Sequence, residues 1–93
     1  MIIEQINNEK KGAFKAMDGN TVAGELVYTW AGTDKFIIEH TEVDDKYAGQ
    51  SIGKKLVIEA VGYARNNKKK ILPLCPFAKA LFDKLPEIRD VLF

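Results

Sequence analysis

Cysteine and histidine are scarce in this sequence. Its 93 residues include one cysteine, Cys75, and one histidine, His40. A single cysteine excludes an internal disulfide, and with one histidine it cannot complete a Cys/His zinc site, so we expect no bound metal. An unpaired thiol is typical of a reducing compartment, and we therefore predict a cytoplasmic protein.

Long hydrophobic runs are also missing. Apolar stretches such as Phe36-Ile37-Ile38 are far shorter than the roughly 20 residues that cross a bilayer, and the N-terminus lacks the apolar core of a signal peptide. The sequence therefore predicts no membrane partner.

Neither sign of charge dominates the chain. It carries 14 Lys and Arg residues against 13 Asp and Glu residues, a formal net charge of +1. Such a balance gives no overall positive electrostatic potential that would attract nucleic acid, so any anion-binding site must come from a local group of residues. The length predicts one domain, residues 1–93.

The first half of the chain has the alternating pattern of β-strands. Residues 2–6, 13–17 and 36–43 are rich in apolar and β-branched residues, residues 21–30 alternate, and turn-forming clusters separate these segments. We predict an antiparallel meander. Under regular alternation, Val22 shares a face with Leu26 and Tyr28, and His40 shares a face with Phe36 and Ile38.

In the second half the hydrophobic period changes to that of a helix. The apolar stripe predicts a main helix over about residues 51–67, followed by a short strand near residues 71–76 and a short helix at residues 77–85. A right-handed crossover would make the strands on either side of the main helix parallel neighbours. The predicted fold class is α+β, with a mixed, mostly antiparallel sheet.

A glycine-spaced turn joins the fourth strand to the main helix. Gly49 and Gly53 leave room for a ligand near the first helical N–H groups, which have no intrahelical partner and carry the positive end of the helix dipole. Lys54 and Lys55 lie in the first turn, where they oppose the dipole, and a bound anion would account for them. The alternative is an ordinary glycine turn with solvated lysines.

Two familiar phosphate-binding motifs do not fit this turn. A P-loop has four residues between its glycines and then Lys-Ser or Lys-Thr, whereas three residues separate Gly49 from Gly53 and Lys55 occupies the hydroxyl position. A Rossmann turn follows the first strand of a parallel sheet, whereas this turn follows a meander. We therefore predict neither a nucleotide triphosphatase nor a dinucleotide-binding protein.

The turn resembles the coenzyme-binding motif of the GNAT superfamily of acetyl-CoA-dependent N-acetyltransferases, Arg/Gln-x-x-Gly-x-Gly/Ala. The matching segment is Ala48-Gly49-Gln50-Ser51-Ile52-Gly53, preceded by the strand end and loop Val43-Asp44-Asp45-Lys46-Tyr47. Ala48 replaces the usual Arg or Gln, and Ser51 replaces the middle glycine. The chain more closely resembles small GNAT-like proteins that keep the coenzyme half of the fold, with which it shares His40-Thr41-Glu42-Val43, Ala64-Arg65 and Cys75-Pro76-Phe77-Ala78-Lys79.

This resemblance implies acetyl-CoA as co-substrate in a V-shaped opening between the two parallel strands. The pantetheine arm would pair with the strand at Thr41, Glu42 and Val43. Main-chain amides would hold the pyrophosphate, and the residues implied are Ala48, Gly49, Gln50, Ser51, Ile52, Gly53, Lys54 and Lys55.

Acetyl transfer to an amine requires a base, oxyanion donors and a group that reprotonates the thiolate. The tyrosine acid usual in the last GNAT helix is missing here. His40 and Cys75 are expected to face each other across the opening, with Cys75 accepting the acetyl group and His40 acting as its base or as general base toward an amine. Alternatively, Cys75 is a buried small hydrophobe, His40 is structural, and Glu39 or Glu42 is the base.

The sequence thus predicts an acetyl-CoA-binding N-acetyltransferase that acts on an amine of a small molecule or peptide, as a monomer or homodimer. A non-catalytic acyl-CoA-binding or sensing module is the alternative. A nucleic-acid or protein adaptor using its lysines as a patch is disfavoured by the near-zero net charge.

Overall fold

A computed structural model of the chain describes residues 1–93 and shows one five-stranded sheet. The strands are β1 (Ile2–Asn7), β2 (Lys11–Asp18), β3 (Thr21–Trp30), β4 (Lys35–Val43) and β5 (Lys70–Pro73), and they lie in this order across the sheet. Strands β1 to β4 form antiparallel pairs, and β5 is parallel to β4. The predicted mixed, mostly antiparallel sheet is confirmed.

Helix α1 (Ile52–Asn67) connects β4 to β5, and helix α2 (Pro76–Lys84) follows β5. Two 3-10 turns complete the chain, one before α1 (Asp45–Tyr47) and one after α2 (Pro86–Val91). Both helices lie where the apolar period placed them, which confirms the α+β class with one main helix and a short C-terminal helix. None of the helices is long and apolar enough to cross a membrane.

The hydrophobic core lies between one face of the sheet and the helices. One cluster of 20 buried residues combines the apolar stripe of α1 with inward-facing strand residues such as Leu26, Tyr28, Phe36 and Ile38. We call this side of the sheet the inner face and the opposite side the outer face. The outward-facing Val27 is outside the cluster.

Two β-bulges interrupt the regular alternation of the strands. In β3, Ala16 pairs with Gly24 but Met17 pairs with Val22, so Ala23 is an extra residue in the strand. Val22 is consequently 42% exposed, and its predicted place on the face of Leu26 and Tyr28 is wrong. An extra residue reverses the face of every residue beyond it.

The second bulge, in β4, changes the predicted site. Val27 pairs with His40 while Tyr28 pairs with Ile38, which leaves Glu39 as the extra residue. His40 is therefore exposed on the outer face, opposite the inward-facing Ile38. The predicted placement of His40 on the face of Phe36 and Ile38 is wrong, because regular alternation does not hold across a bulge.

A bidentate ion pair links the C-terminal segment to α1. Arg65 donates through Nε to Asp90 Oδ2 at 2.9 Å and through Nη2 to Asp90 Oδ1 at 2.7 Å. The same Nη2 donates to the Glu87 carbonyl oxygen at 2.6 Å. Hydrogen bonding from Arg65 lowers the pKa of the Asp90 carboxyl.

Candidate functional site

The site begins where β4 and β5 separate. Pairing between the two strands runs from Lys35 to Ile38 of β4, and the amides of Leu74 and Cys75 then both donate to the Ile38 carbonyl oxygen at 3.1 Å. Beyond this point β4 continues to Val43 with no strand on its β5 side. An unpaired strand edge of this kind can accept an extended ligand through main-chain hydrogen bonds.

The N-terminus of α1 opens beside this edge. The first main-chain bond of the helix runs from the Lys55 amide to the Ser51 carbonyl oxygen at 3.0 Å, and the amides of Ile52, Gly53 and Lys54 have no acceptor within the protein. Ser51 caps the helix in a left-handed conformation with φ of 58° and makes no side-chain cap bond. The three free amides and the helix dipole together favour a bound anion.

Both features open into one cleft of about 480 Å³. Its lining comprises Thr41, Val43, Tyr47, Ala48, Gly49, Ser51, Ile52, Gly53, Lys54, Phe77 and Leu81. Lys54 is the charged residue of this set, and it lies beside the free amides. The cleft thus offers a cationic, amide-rich end and apolar walls, which suits a ligand with a phosphate group and a long uncharged arm.

Most residues predicted to bind the coenzyme line this cleft, but three do not. Glu42, Gln50 and Lys55 are exposed and lie outside the lining. The prediction omitted Tyr47, Phe77 and Leu81 from the coenzyme site. Tyr47 could have been found from its place in the aligned loop, whereas the two α2 residues required knowledge of how that helix packs.

Gly53 permits a close contact between α1 and the Phe77 ring. A Cβ atom at Gly53 would lie 2.8 Å from Phe77 Cζ and 2.9 Å from Cε2, which is closer than real Cβ contacts allow. Phe77 is 44% exposed and forms part of the cleft wall. The absence of a side chain at Gly53 therefore lets the Phe77 ring pack directly against the N-terminal end of α1. Gly49 has a different role, because its φ of 84° is a conformation that favours glycine.

Tyr47 connects the cleft to the β2–β3 hairpin. Its hydroxyl group donates to Asp18 Oδ2 at 2.7 Å, across 29 residues of sequence. This hydrogen bond raises the pKa of Tyr47 above its ordinary value.

Cys75 lies directly behind the cleft wall. Its side chain is 4% exposed, and the thiol donates to Thr41 Oγ1 at 3.7 Å. Burial alone would raise the pKa of the Cys75 thiol, but the nearby backbone of Ala78 and Phe77 and the side chain of Thr41 lower it by more, so the net shift is downward. Cys75 makes no side-chain capping hydrogen bond to α2, but its position just before the helix N-terminus explains the effect of these backbone groups.

The structure brings Cys75 to Thr41 and not to His40. The predicted pair across the opening is wrong, because the β4 bulge places His40 on the outer face. Glu39 and Glu42 lie on that face too: Glu39 accepts from Thr29 Oγ1 at 2.9 Å, and Glu42 pairs with Glu25. The titratable side chains that line the cleft are those of Tyr47 and Lys54.

The fold and cleft define a small α+β protein with a free helix N-terminus beside a splayed pair of parallel strands. A family model described as GCN5-related N-acetyl-transferase matches residues 13–91. The chain therefore belongs to the GCN5-related N-acetyltransferase family, as the motif resemblance predicted.

A solved structure agrees with this assignment. The chain is similar to a "GCN5-like putative N-acetyltransferase" from Staphylococcus aureus, determined by NMR in solution. The two are 34% identical, the match covers 97% of this chain and 87% of the other, and the TM-score is 0.71. Among curated proteins there is no match.

Proposed function

We propose that the cleft binds acetyl-CoA, with its pyrophosphate on the free amides of Ile52, Gly53 and Lys54. The pantetheine arm would lie along the unpaired edge of β4 from Thr41 to Val43. The observation that carries this proposal is that the free amides and the free strand edge open into the same cleft. Membership of the GCN5-related family supports it, since that family uses acetyl-CoA.

The proposed activity is transfer of the acetyl group to an amine of a small molecule or peptide. Cys75 is the candidate acetyl carrier. Its thiolate would attack the thioester carbonyl carbon, forming a sulfur–carbon bond as the bond to the coenzyme A sulfur breaks, and the departing thiolate would take a proton from water. An amine would then attack the acetyl carbonyl carbon, forming a nitrogen–carbon bond as the bond to Cys75 Sγ breaks and regenerating the thiolate, and its proton would return to the hydroxide left in the water.

Two observations support Cys75 in this role. Its lowered thiol pKa increases the thiolate fraction at neutral pH. In addition, no histidine or carboxylate lines the cleft, so direct attack by an amine would lack a protein base there. A thiolate nucleophile needs no such base in the first step.

The burial of Cys75 instead favours a second function, a non-catalytic acyl-CoA-binding or sensing module. Cys75 is almost fully buried and is itself absent from the cleft lining, which would suit a purely structural thiol. Under this alternative the protein binds acetyl-CoA but transfers nothing.

The two functions are separated by following the acetyl group. Wild-type protein and the Cys75→Ser variant are incubated with acetyl-CoA, their intact masses are measured, and a panel of amines is then added while coenzyme A release is recorded. The carrier mechanism predicts a mass increase of one acetyl group in wild type only, followed by its loss to an amine.

Turnover that survives in Cys75→Ser would instead show direct transfer and would refute the carrier role. Binding without acetylation or turnover would favour the sensing module. The Thr41→Val variant, which keeps the side-chain shape but removes the hydroxyl, should acetylate more slowly than wild type.

A further inference from the structure

The loop that leads into α1 is held to the rest of the protein by few contacts. Residues 44–50 are mostly exposed, and the 3-10 turn within them contains no buried residue. Two hydrogen bonds tie these residues to the sheet: the Asp44 amide donates to the Ala23 carbonyl oxygen at 2.9 Å, and the Tyr47 hydroxyl donates to Asp18. The first bond fixes the start of the loop and the second fixes its middle.

The conformation of this loop has to be maintained against strain. Gly49 and Ser51 both have positive φ, 84° and 58°, and for Ser51 the left-handed conformation costs about 1 kcal/mol. Such residues persist where the surrounding structure determines their conformation. Inside the loop, the Tyr47 amide donates to the Asp44 carbonyl oxygen at 2.9 Å and the Gln50 amide donates to the Tyr47 carbonyl oxygen at 3.3 Å. Tyr47 is thus the residue through which the loop bonds are connected to the hairpin.

Asp18, the partner in this contact, is exposed at the β2–β3 hairpin. It is the last residue of β2 and pairs with Thr21, the first residue of β3, across a two-residue turn in which Gly19 has a φ of 61°. The Tyr47 ring also packs against the core cluster and lines the cleft. One side chain therefore contacts the core, the hairpin and the cleft.

We propose that the Asp18–Tyr47 hydrogen bond is a latch that holds residues 44–51 with the α1 amides open to the cleft, so that both are positioning residues for the phosphates of a coenzyme A ligand. This inference rests on the proposed function. Without the latch the loop samples other conformations, and the apparent affinity falls in proportion to the fraction that is competent to bind. The bound conformation itself is unchanged.

The test measures coenzyme A dissociation constants by amide NMR titration at a temperature where every variant is folded. Tyr47→Phe and Asp18→Ala should each raise Kd roughly three- to tenfold, the effect of losing one net hydrogen bond. The double variant should be no weaker than either single one, because the same bond is lost. Asp18→Asn keeps an acceptor oxygen and should remain closer to wild type.

Tyr63→Phe is the matched control, because the Tyr63 hydroxyl makes no hydrogen bond and the residue lies in the second half of α1, away from the cleft. It should leave Kd unchanged. In the unliganded latch variants, the amides of Tyr47 and Gln50 should exchange with solvent faster than in wild type, and saturating coenzyme A should restore their wild-type chemical shifts.

Two negative results have different meanings. If wild type binds coenzyme A and the latch variants bind equally well, or if the two single effects add in the double variant, the latch is overturned and the proposed function stands. If wild type shows no saturable shifts at all, the proposed function fails, and the latch fails with it.

Discussion

Gly53 and Gly62 lie in the same helix, yet alanine should act on stability in opposite directions at the two positions. Nothing lies within 4 Å of a Cβ atom built at Gly62, whereas one built at Gly53 would lie 2.8 Å from Phe77 Cζ. The Gly62→Ala variant therefore gains helix propensity without a clash. The Gly53→Ala variant must also displace the Phe77 ring.

The expected magnitudes follow from these surroundings. Replacing glycine by alanine within a helix stabilises by up to about 1 kcal/mol. Overpacking in a core typically costs about 1–3 kcal/mol. The clash here is with the far end of a side chain that is 44% exposed and can partly turn aside, so Gly53→Ala should lose about 1 kcal/mol or less of the free energy of unfolding after the gain in helix propensity. In a Phe77→Ala background the clash disappears, and Gly53→Ala should become stabilising by up to about 1 kcal/mol.

Urea unfolding of the four proteins in this double-mutant cycle measures the coupling, with Gly62→Ala as the control for helix propensity. The structure predicts a coupling of about 1–2 kcal/mol between Gly53 and Phe77. Effects that add to within about 0.5 kcal/mol would refute the contact. So would a Gly53→Ala variant that is as stabilised as Gly62→Ala.

Three further predictions concern the thiol, the C-terminal ion pair and the loop. Because the pKa of Cys75 is lowered, its thiolate absorbance should reach half-maximum at a lower pH than that of an unperturbed thiol, and Thr41→Val should move this midpoint upward. The pKa of Asp90 is lowered, so its pairing with Arg65 stabilises the fold above the ordinary carboxyl pKa of about 3.9. This contribution is lost as the pH falls through the lowered pKa. Asp90→Asn should therefore reduce Tm at neutral pH, and the difference from wild type should vanish in acid. Gly49→Ala should weaken coenzyme A binding more than Gly49→Asn in an NMR titration, because asparagine tolerates the left-handed φ of 84° better than alanine does; equal effects would contradict this reasoning.

Much of the fold could be predicted because strand and helix periods are properties of consecutive residues. The apolar stripe from Ile52 to Ala64 indicates α1 directly, and the change of period marks the end of the meander. The glycine turn between them also depends on local sequence. These features place the cleft at the N-terminus of α1.

The facing of side chains across the cleft could not be predicted in the same way. A bulge adds one residue to a strand without a distinctive residue type, and the extra Glu39 moves His40 away from Cys75 and turns Thr41 inward. The contact between Gly53 and Phe77 depends on how α2 packs against α1. From the sequence alone, Gly53 indicates space for a ligand instead, because it lies in a coenzyme-binding motif.

An amide NMR titration of the wild-type protein with acetyl-CoA shows whether this cleft is the coenzyme site. If it is, saturable chemical shift changes should be centred on residues 41–43 and 49–54, with the amides of Ile52, Gly53 and Lys54 among the most affected. The outer-face residue His40 should be affected less than Thr41. No shifts at millimolar acetyl-CoA, or shifts centred elsewhere on the molecule, would contradict the assignment of this cleft as the coenzyme site.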